Sequence, residues 1–172
     1  ELLPAAGTPI TGRIWLFRLH TGLGAVALAC GPINLHRGLL MRRPVWHRAV
    51  GRVYVLSALV SGGSGLVLAF VSLGGVVAHW GFGLMAVIWL LTTSLGWRAG
   101  IRRHIAVHRE WMLRSFAMTL AAVSLRLQLL PLMMSGGDFN WGYPIISFTC
   151  WAPNLILMEW WIRRTRGRKA KG

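Results

Sequence analysis

Four of the six histidines are spaced as if they could act in pairs. His20, His47, His79 and His108 each stand in or at the edge of a long apolar segment. His20 and His47 are 27 residues apart, and His79 and His108 are 29 apart, which indicates a weak twofold repeat of helix pairs. Two neutral imidazoles can hold the iron of a flat macrocycle between them. The spacing therefore suggests a redox cofactor, if the surrounding elements bring the rings together.

Those elements are predicted to be membrane-spanning helices. The chain has 172 residues, of which 55% are hydrophobic and only 13% are charged. A spanning helix needs about 20 mostly apolar residues, and several such runs are present. We expect an all-α, polytopic membrane protein that forms a single transmembrane domain over residues 1–172. Its parts are spans at about 15–35, 50–73, 78–97, 111–134 and 143–162, a four-helix bundle core at about 13–135, and a basic tail at 163–172.

The distribution of bases predicts the topology. Nineteen Lys and Arg face four acids, and most bases fall in clusters at 37–52, 98–114 and 163–171, whereas the connections near 72–78 and 135–142 have none. Bases confined to alternate loops follow the positive-inside rule, which favours an outer N-terminus and an inner C-terminus in a bacterial cytoplasmic (inner) membrane. The same pattern argues against nucleic acid as a partner and favours membrane lipids with anionic headgroups.

With this topology the histidines pair by depth. His20 and His79 lie near the outer ends of spans one and three, and His47 and His108 near the inner ends of spans two and four. These spans face each other diagonally in a four-helix bundle, so each pair could hold one haem b between its imidazoles. His36 and His104 lie beside basic loops and are expected to face headgroups.

Glycines near three of these histidines support the same hypothesis. Gly24, Gly51 and Gly83 each follow a histidine by four residues, which places a bare patch on the same helix face. A flat porphyrin could lie against such a patch, although close helix packing explains a single glycine equally well. His108 breaks the pattern, because Met112 follows it.

Arginines could hold the cofactor's carboxylates. Arg126 lies well inside span four, where a guanidinium is costly without an anionic partner, and Glu159 is predicted to lie near the other side of the membrane. A haem propionate would supply that partner. Arg52 and Arg114 flank the inner histidine pair and could do the same, whereas the positive-inside rule alone explains Arg48 and Arg109.

Other chemistries have little support in the sequence. Cys30 and Cys150 are far apart in apolar runs without a CxxC pattern, so we expect neither a disulfide framework nor covalent haem. No cysteine or acid has zinc-ligand spacing to either histidine pair, and hydrolase motifs are absent. Because the chain begins at Glu1 without Met, we expect residues to precede it, and no signal peptide is visible.

Two segments carry a family resemblance. "HRAVGRVYV" (47–55) and "HREWMLRSFAMTLAAVSLRL" (108–127) resemble signatures of DUF2306, a bacterial family of predicted membrane proteins, and "LHTGLGAVAL" (19–28) and "WLLTTSLGWRAGIRR" (89–103) fit it too. The layout also looks like the two-haem cytochromes of the b561 type, a resemblance that implies the pairs His20 with His79 and His47 with His108. The aqueous-side substrate residues of b561 enzymes have no counterpart here, so reduction of ascorbate or ferric iron is not implied.

Two functions from different classes remain open. The first is a b-type cytochrome that moves electrons between an unidentified small donor and acceptor, in which case the chain is an oxidoreductase component. The second is a non-catalytic subunit of a larger respiratory or photosynthetic complex, packed against other membrane subunits, with a chlorophyll-type pigment or no cofactor. A transporter has less support, because carboxylates are almost absent from the spans.

Overall fold

The described part of the chain is helical. The structure, a computed structural model, describes residues 9–36 and 43–169. Within these residues it contains no strand. The helices are α1 (Pro9–Leu35), α2 (Pro44–Ala69), α3 (Gly75–Ile101), α4 (Ile105–Thr119), α5 (Ala121–Met134), α6 (Phe139–Thr149) and α7 (Ala152–Lys169). Some bases of the predicted clusters, Arg37, Arg42 and Lys171, lie outside the described residues.

Within residues 9–36 and 43–169, five helical segments are long and apolar enough to span a membrane. They are Arg13–Leu35, Pro44–Ala69, Gly75–Ile101, Ile105–Met134 and Phe139–Gly167. The prediction of an all-α membrane protein with five spans is therefore confirmed. The fourth span consists of α4 and α5, and the fifth of α6 and α7.

The second span differs from its predicted limits at both ends. It begins at Pro44 rather than 50, because proline is well tolerated in a first turn, where its missing N–H would be unbonded anyway. It ends at Ala69 rather than 73, and the chain turns through Gly74, whose φ of 88° favours glycine. The fifth span is also longer than predicted, because α7 continues into the basic tail as far as Lys169.

Each of the first four spans packs against the next, and the fourth also contacts the first. α1 packs against α2, α2 against α3, and α3 against α4, while α1 also contacts α4. Gly31 admits this last contact, because a Cβ at Gly31 would collide with the ring of Phe116. The fifth span lies outside this four-helix arrangement, with α6 against α3 and α5 and α7 against α4. Gly81 allows α6 to come close, since an added Cβ would meet the Ser147 backbone at 3.0 Å.

A row of buried hydroxyls joins α2, α3 and α4 at mid-depth. The Tyr54 hydroxyl lies 2.8 Å from Ser115 Oγ and 2.9 Å from Thr119 Oγ1. Thr93 Oγ1 lies 2.7 Å from Ser115 Oγ. Polar groups inside a bilayer have no water to bond, so they stabilise the bundle by bonding one another. We call Thr93, Ser115, Tyr54 and Thr119 the hydroxyl row.

The fourth and fifth spans are each interrupted near mid-membrane. α4 ends at Thr119 and α6 at Thr149. Amide side chains bridge the two spans there: Asn154 Nδ2 donates to Ser124 Oγ at 3.0 Å, and Gln128 Nε2 donates to the Thr149 carbonyl at 3.2 Å. These bonds attach α5 to the fifth span without an apolar driving force, which the bilayer does not supply between helices.

Candidate functional site: histidines at the two ends of the bundle

Most charges gather at one end of the bundle. The C-terminal ends of α1, α3 and α7 and the N-terminal ends of α2 and α4 meet there, and we call it the basic end. The connections at the opposite end, residues 70–74 and 135–138, are described in full and contain no base. The arginines at the basic end whose side chains the structure describes are Arg43, Arg48, Arg52, Arg98, Arg102, Arg103, Arg109, Arg114, Arg163, Arg164 and Arg166.

His108 is seated on a pair of glycines at the basic end. Its Nδ1 lies 2.8 Å from the carbonyl oxygen of Gly96 in α3. A carbonyl can only accept, so Nδ1 carries the hydrogen, and in the neutral ring Nε2 keeps its lone pair. A Cβ added at Gly100 would stand 2.8 Å from Nδ1 and 3.1 Å from Cε1 of this ring. Met112 lies over Gly96 in the same way, so α3 accepts two side chains of α4 where it has none of its own.

His47 lies in the first turn of α2, at the same end of the bundle. Asn34, in the last turn of α1, fixes this part of α2. With the amide oriented to satisfy both groups, it donates to the His47 carbonyl at 3.1 Å and accepts from the Gly51 N–H at 3.2 Å. The surface beside Gly51 is therefore adjacent to the Asn34 amide.

The histidines at the opposite end are held separately. His20 Nδ1 donates to the Ser61 carbonyl at 2.8 Å, and Ser61 Oγ donates in return to the His20 carbonyl at 2.8 Å. The ring rests on Gly65, where a Cβ would come within 2.8 Å of it. His79 instead uses Nε2 to donate to the Ser72 carbonyl at 3.0 Å. Among the described residues no hydrogen bond joins His20 to His79.

The glycines predicted to clear space beside the histidines face different surroundings. A Cβ at Gly24 would meet Ser61 Oγ at 3.2 Å, so this position serves the packing of α1 on α2. Gly83 has no atom within 4 Å of such a Cβ and remains open beside His79. The glycines that admit imidazoles, Gly65 and Gly100, were missed. Their signal was present as small residues four apart in "SGGSG" (61–65) and "GWRAG" (96–100).

The three predicted site arginines also differ. Arg126 is exposed, and its Nη1 donates to the Ala122 carbonyl of its own helix at 2.7 Å. Arg52 is exposed near the basic end. Arg114 already has a carboxylate partner, because its Nε and Nη2 lie 2.8 and 2.7 Å from Glu159 Oε2. Arg163 shares the other oxygen of Glu159 at 2.9 Å.

The described histidines are presented singly rather than in a cluster of metal-binding side chains. The described residues contain no group of three or more His, Cys, Asp or Glu placed to bind a metal ion. A haem takes only two protein ligands, one on each face, and prefers an imidazole whose other nitrogen is hydrogen-bonded. His108 and His20 both have that arrangement, with Nδ1 bonded and Nε2 not bonded to any described residue.

Together the fold and the site define a multi-pass α-helical membrane protein with histidines seated on glycines of neighbouring helices. The chain belongs to the DUF2306 family, described as predicted membrane proteins, whose sequence profile matches residues 17–162. The resemblance to that family is thus confirmed. None of the curated proteins or solved structures with which the chain was compared matches it.

Proposed function

We propose that this protein is an integral membrane b-type cytochrome that carries electrons across or within the bilayer. His47 and His108 would bind one haem b at the basic end, and His20 and His79 a second at the opposite end. The observation that carries the proposal is the state of His108. Its Nδ1 donates to the Gly96 carbonyl at 2.8 Å, which in the neutral ring leaves Nε2 with its lone pair, and no described residue bonds Nε2.

The residues around His108 would fix a ligand before any cofactor binds. The Gly96 carbonyl favours the tautomer that leaves Nε2 basic, and Gly100 lets the ring lie close against α3. A ligand held in this way loses little rotational freedom on binding, so more of the binding energy is retained. A bound haem would supply a one-electron couple whose potential depends on the dryness and hydrogen bonding of this surround.

Charge at the basic end would help to orient the cofactor. Arg52 follows His47 by five residues and has no acidic partner among the described residues, so its guanidinium is free to meet a propionate. Arg114 is less suited to this role, because Glu159 already neutralises it. At the opposite end the exposed Arg126 is the corresponding candidate, and a propionate would replace the Ala122 carbonyl as its partner.

The opposite-end site would require a rearrangement. His79 uses Nε2 to bond the Ser72 carbonyl, so it must give up that bond or present Nδ1 instead. Gly83 offers open space on the same helix face for a flat ring. We therefore expect the basic-end site to fill first. Since bases mark the cytoplasmic side, the basic end would face the cytoplasm of a bacterium, with an external N-terminus.

An absorption spectrum of the purified protein with a pyridine haemochrome assay tests the proposal. We expect a Soret band, and haem that falls to the level of one site or less in His108→Ala. His104→Ala is the matched control, because His104 lies in the adjacent α3–α4 turn and is exposed. Protein that binds no haem even after supplementation would exclude a cytochrome.

A second candidate is a non-catalytic subunit of a larger membrane complex. It is favoured by exposed tryptophans at the span ends, including Trp141 at 76% and Trp46 at 59% exposure, which could pack against partner helices or carry a pigment between subunits. The simpler explanation is an aromatic belt at the membrane interfaces. Co-purification in a stable larger assembly that fails to form without this chain would favour this candidate.

A further inference from the structure

A groove between α4 and α7 opens toward the lipid near the basic end. Its volume is about 410 Å³, and it is lined by residues of the fourth span and of α7, which pack against each other. Its floor includes the buried Leu113 and Ala117, and its rim includes Leu157, which is 64% exposed. Asn154 closes the mid-membrane end, where it is bonded to Ser124. The remaining lining residues are Leu120, Met158 and Trp161.

The apolar length of this groove matches part of one membrane leaflet. Leu113 and Leu120 are seven residues apart, about 10 Å along a helix. Half of the hydrocarbon core measures about 15 Å. An acyl chain could therefore lie in the groove from near the interface toward the bilayer centre. Such a chain gains little from the groove itself, because bulk lipid is equally apolar. Selectivity must come from the mouth.

The mouth of the groove carries an unpaired cation. Arg109 lies four residues before Leu113, so it continues the lining stripe of α4 toward the basic end. Its guanidinium carbon lies 5.2 Å from the centroid of the Trp161 ring, which itself lines the groove. No acid pairs with Arg109 in the described part of the chain, because Glu110 bonds Arg166 and Glu159 bonds Arg114 and Arg163.

We propose that this groove binds one anionic phospholipid, with an acyl chain between α4 and α7 and its phosphate at Arg109. Stacking on Trp161 would hold the guanidinium at interface depth while leaving its N–H groups free for phosphate oxygens. Basic pockets between spanning helices are suited to anionic headgroups. The site does not involve the histidines, so it stands independently of the proposed haem sites.

Native mass spectrometry of the protein in a neutral detergent tests this site. The probes are phosphatidylglycerol and phosphatidylcholine with identical chains. We expect one phosphatidylglycerol to be retained preferentially, and Arg109→Gln to weaken it roughly fivefold, the effect of one arginine beside an anionic lipid (about 1 kcal/mol). Arg48→Gln should change nothing, because Arg48 is an equally exposed arginine on α2, which does not line the groove.

A second variant tests the apolar half of the site. Leu157→Phe places extra bulk at an exposed rim position and should reduce retention of the one tightly bound phosphatidylglycerol without affecting folding. Equal losses in Arg109→Gln and Arg48→Gln would show that only diffuse charge attracts the lipid. Equal retention of phosphatidylcholine, or unchanged retention in Leu157→Phe, would likewise overturn the proposal.

Discussion

The two ends of the bundle carry the same kind of residues, yet they hold their histidines differently. At the basic end, His108 is bonded to the Gly96 carbonyl of α3 and rests on Gly100. At the opposite end, His20 is bonded to α2 and His79 to the turn just before its own helix. The depth of a histidine follows from its position along its helix. The direction of its ring is decided by which neighbouring helix has space for it.

Glycine placement explains this difference. His108 and His20 both lie over a glycine of the next helix, and both donate Nδ1–H to the carbonyl four residues before that glycine. The arrangement is thus repeated across the bundle, once between α1 and α2 and once between α4 and α3. His79 does not rest on a described glycine of a neighbouring helix, and it bonds the Ser72 carbonyl just before its own helix. The two ends therefore resemble each other in how one histidine rests on a glycine of the next helix, more than in how two histidines pair.

The largest expected effect concerns Gly100, on which the His108 ring rests at the basic end. Gly100→Leu should lower the free energy of unfolding by about 3 kcal/mol, because even its Cβ would collide with the His108 ring. The measurement is the midpoint of SDS unfolding in a fixed lipid–detergent mixture. Gly83→Leu, at the opposite end, should shift it by less than about 1 kcal/mol, since that position faces open space. Similar losses in both variants would contradict the contrast between the ends.

The next effect concerns the ion pair that supports the basic end alone. Glu159→Gln should cost about 2 kcal/mol, because Arg114 is only 15% exposed and would lose its carboxylate. Glu110→Gln is the matched control. Its partner Arg166 is 64% exposed and can be solvated, so its loss should cost less than half as much. If the two variants unfold at the same midpoint, burial of Arg114 does not determine how much its ion pair with Glu159 stabilises the protein.

A smaller effect should appear at the opposite end. Ser61→Ala removes the hydroxyl that bonds the His20 carbonyl across helices and should cost about 1 kcal/mol. Ser64→Ala provides the comparison, because the Ser64 hydroxyl bonds only carbonyls of its own helix and its loss should be nearly neutral. The same SDS titration measures both variants. A greater loss in Ser64→Ala would show that α1 is not held at this point.

The smallest effect lies midway between the ends. Tyr54→Phe removes the hydroxyl that links α2 to Ser115 and Thr119 and should cost about 0.6 kcal/mol, the average for such bonds between membrane helices. Tyr143→Phe is the control, since no hydrogen bond of its hydroxyl is present in the described part. A cost above that of Glu159→Gln would mean that the centre, rather than the basic end, dominates stability.

The spans and the depths of the histidines could be predicted because they depend on local patterns. Runs of apolar residues give the helices, and bases in alternate loops give the two ends. The partners of individual side chains could not be predicted, since they depend on helix rotation. Arg114, expected to meet a haem propionate, is bonded to the carboxylate of Glu159, and Gly24 faces Ser61 rather than open space. Helix rotation is in turn set by small residues such as Gly81 and Gly31, whose contacts lie on other helices.

The hydroxyl row has a consequence for how the interior responds to charge. In one arrangement Thr93 donates to Ser115, Ser115 to Tyr54, Tyr54 to Thr119, and Thr119 to the Ser115 carbonyl. In the reverse arrangement the three hydroxyl–hydroxyl bonds are inverted, the bond to the Ser115 carbonyl is given up, and Thr93 donates to the Trp89 carbonyl instead. Both arrangements use every hydroxyl hydrogen once.

Hydroxyl hydrogens rotate about their C–O bonds, so the row can exchange these arrangements without moving a heavy atom. The direction of its summed dipole reverses when it does. Among the described residues the buried polar side chains are hydroxyls and none is ionisable by acid or base at neutral pH, so the row is a polarisable element at the centre of the bundle, able to reorient when the charge at either end changes.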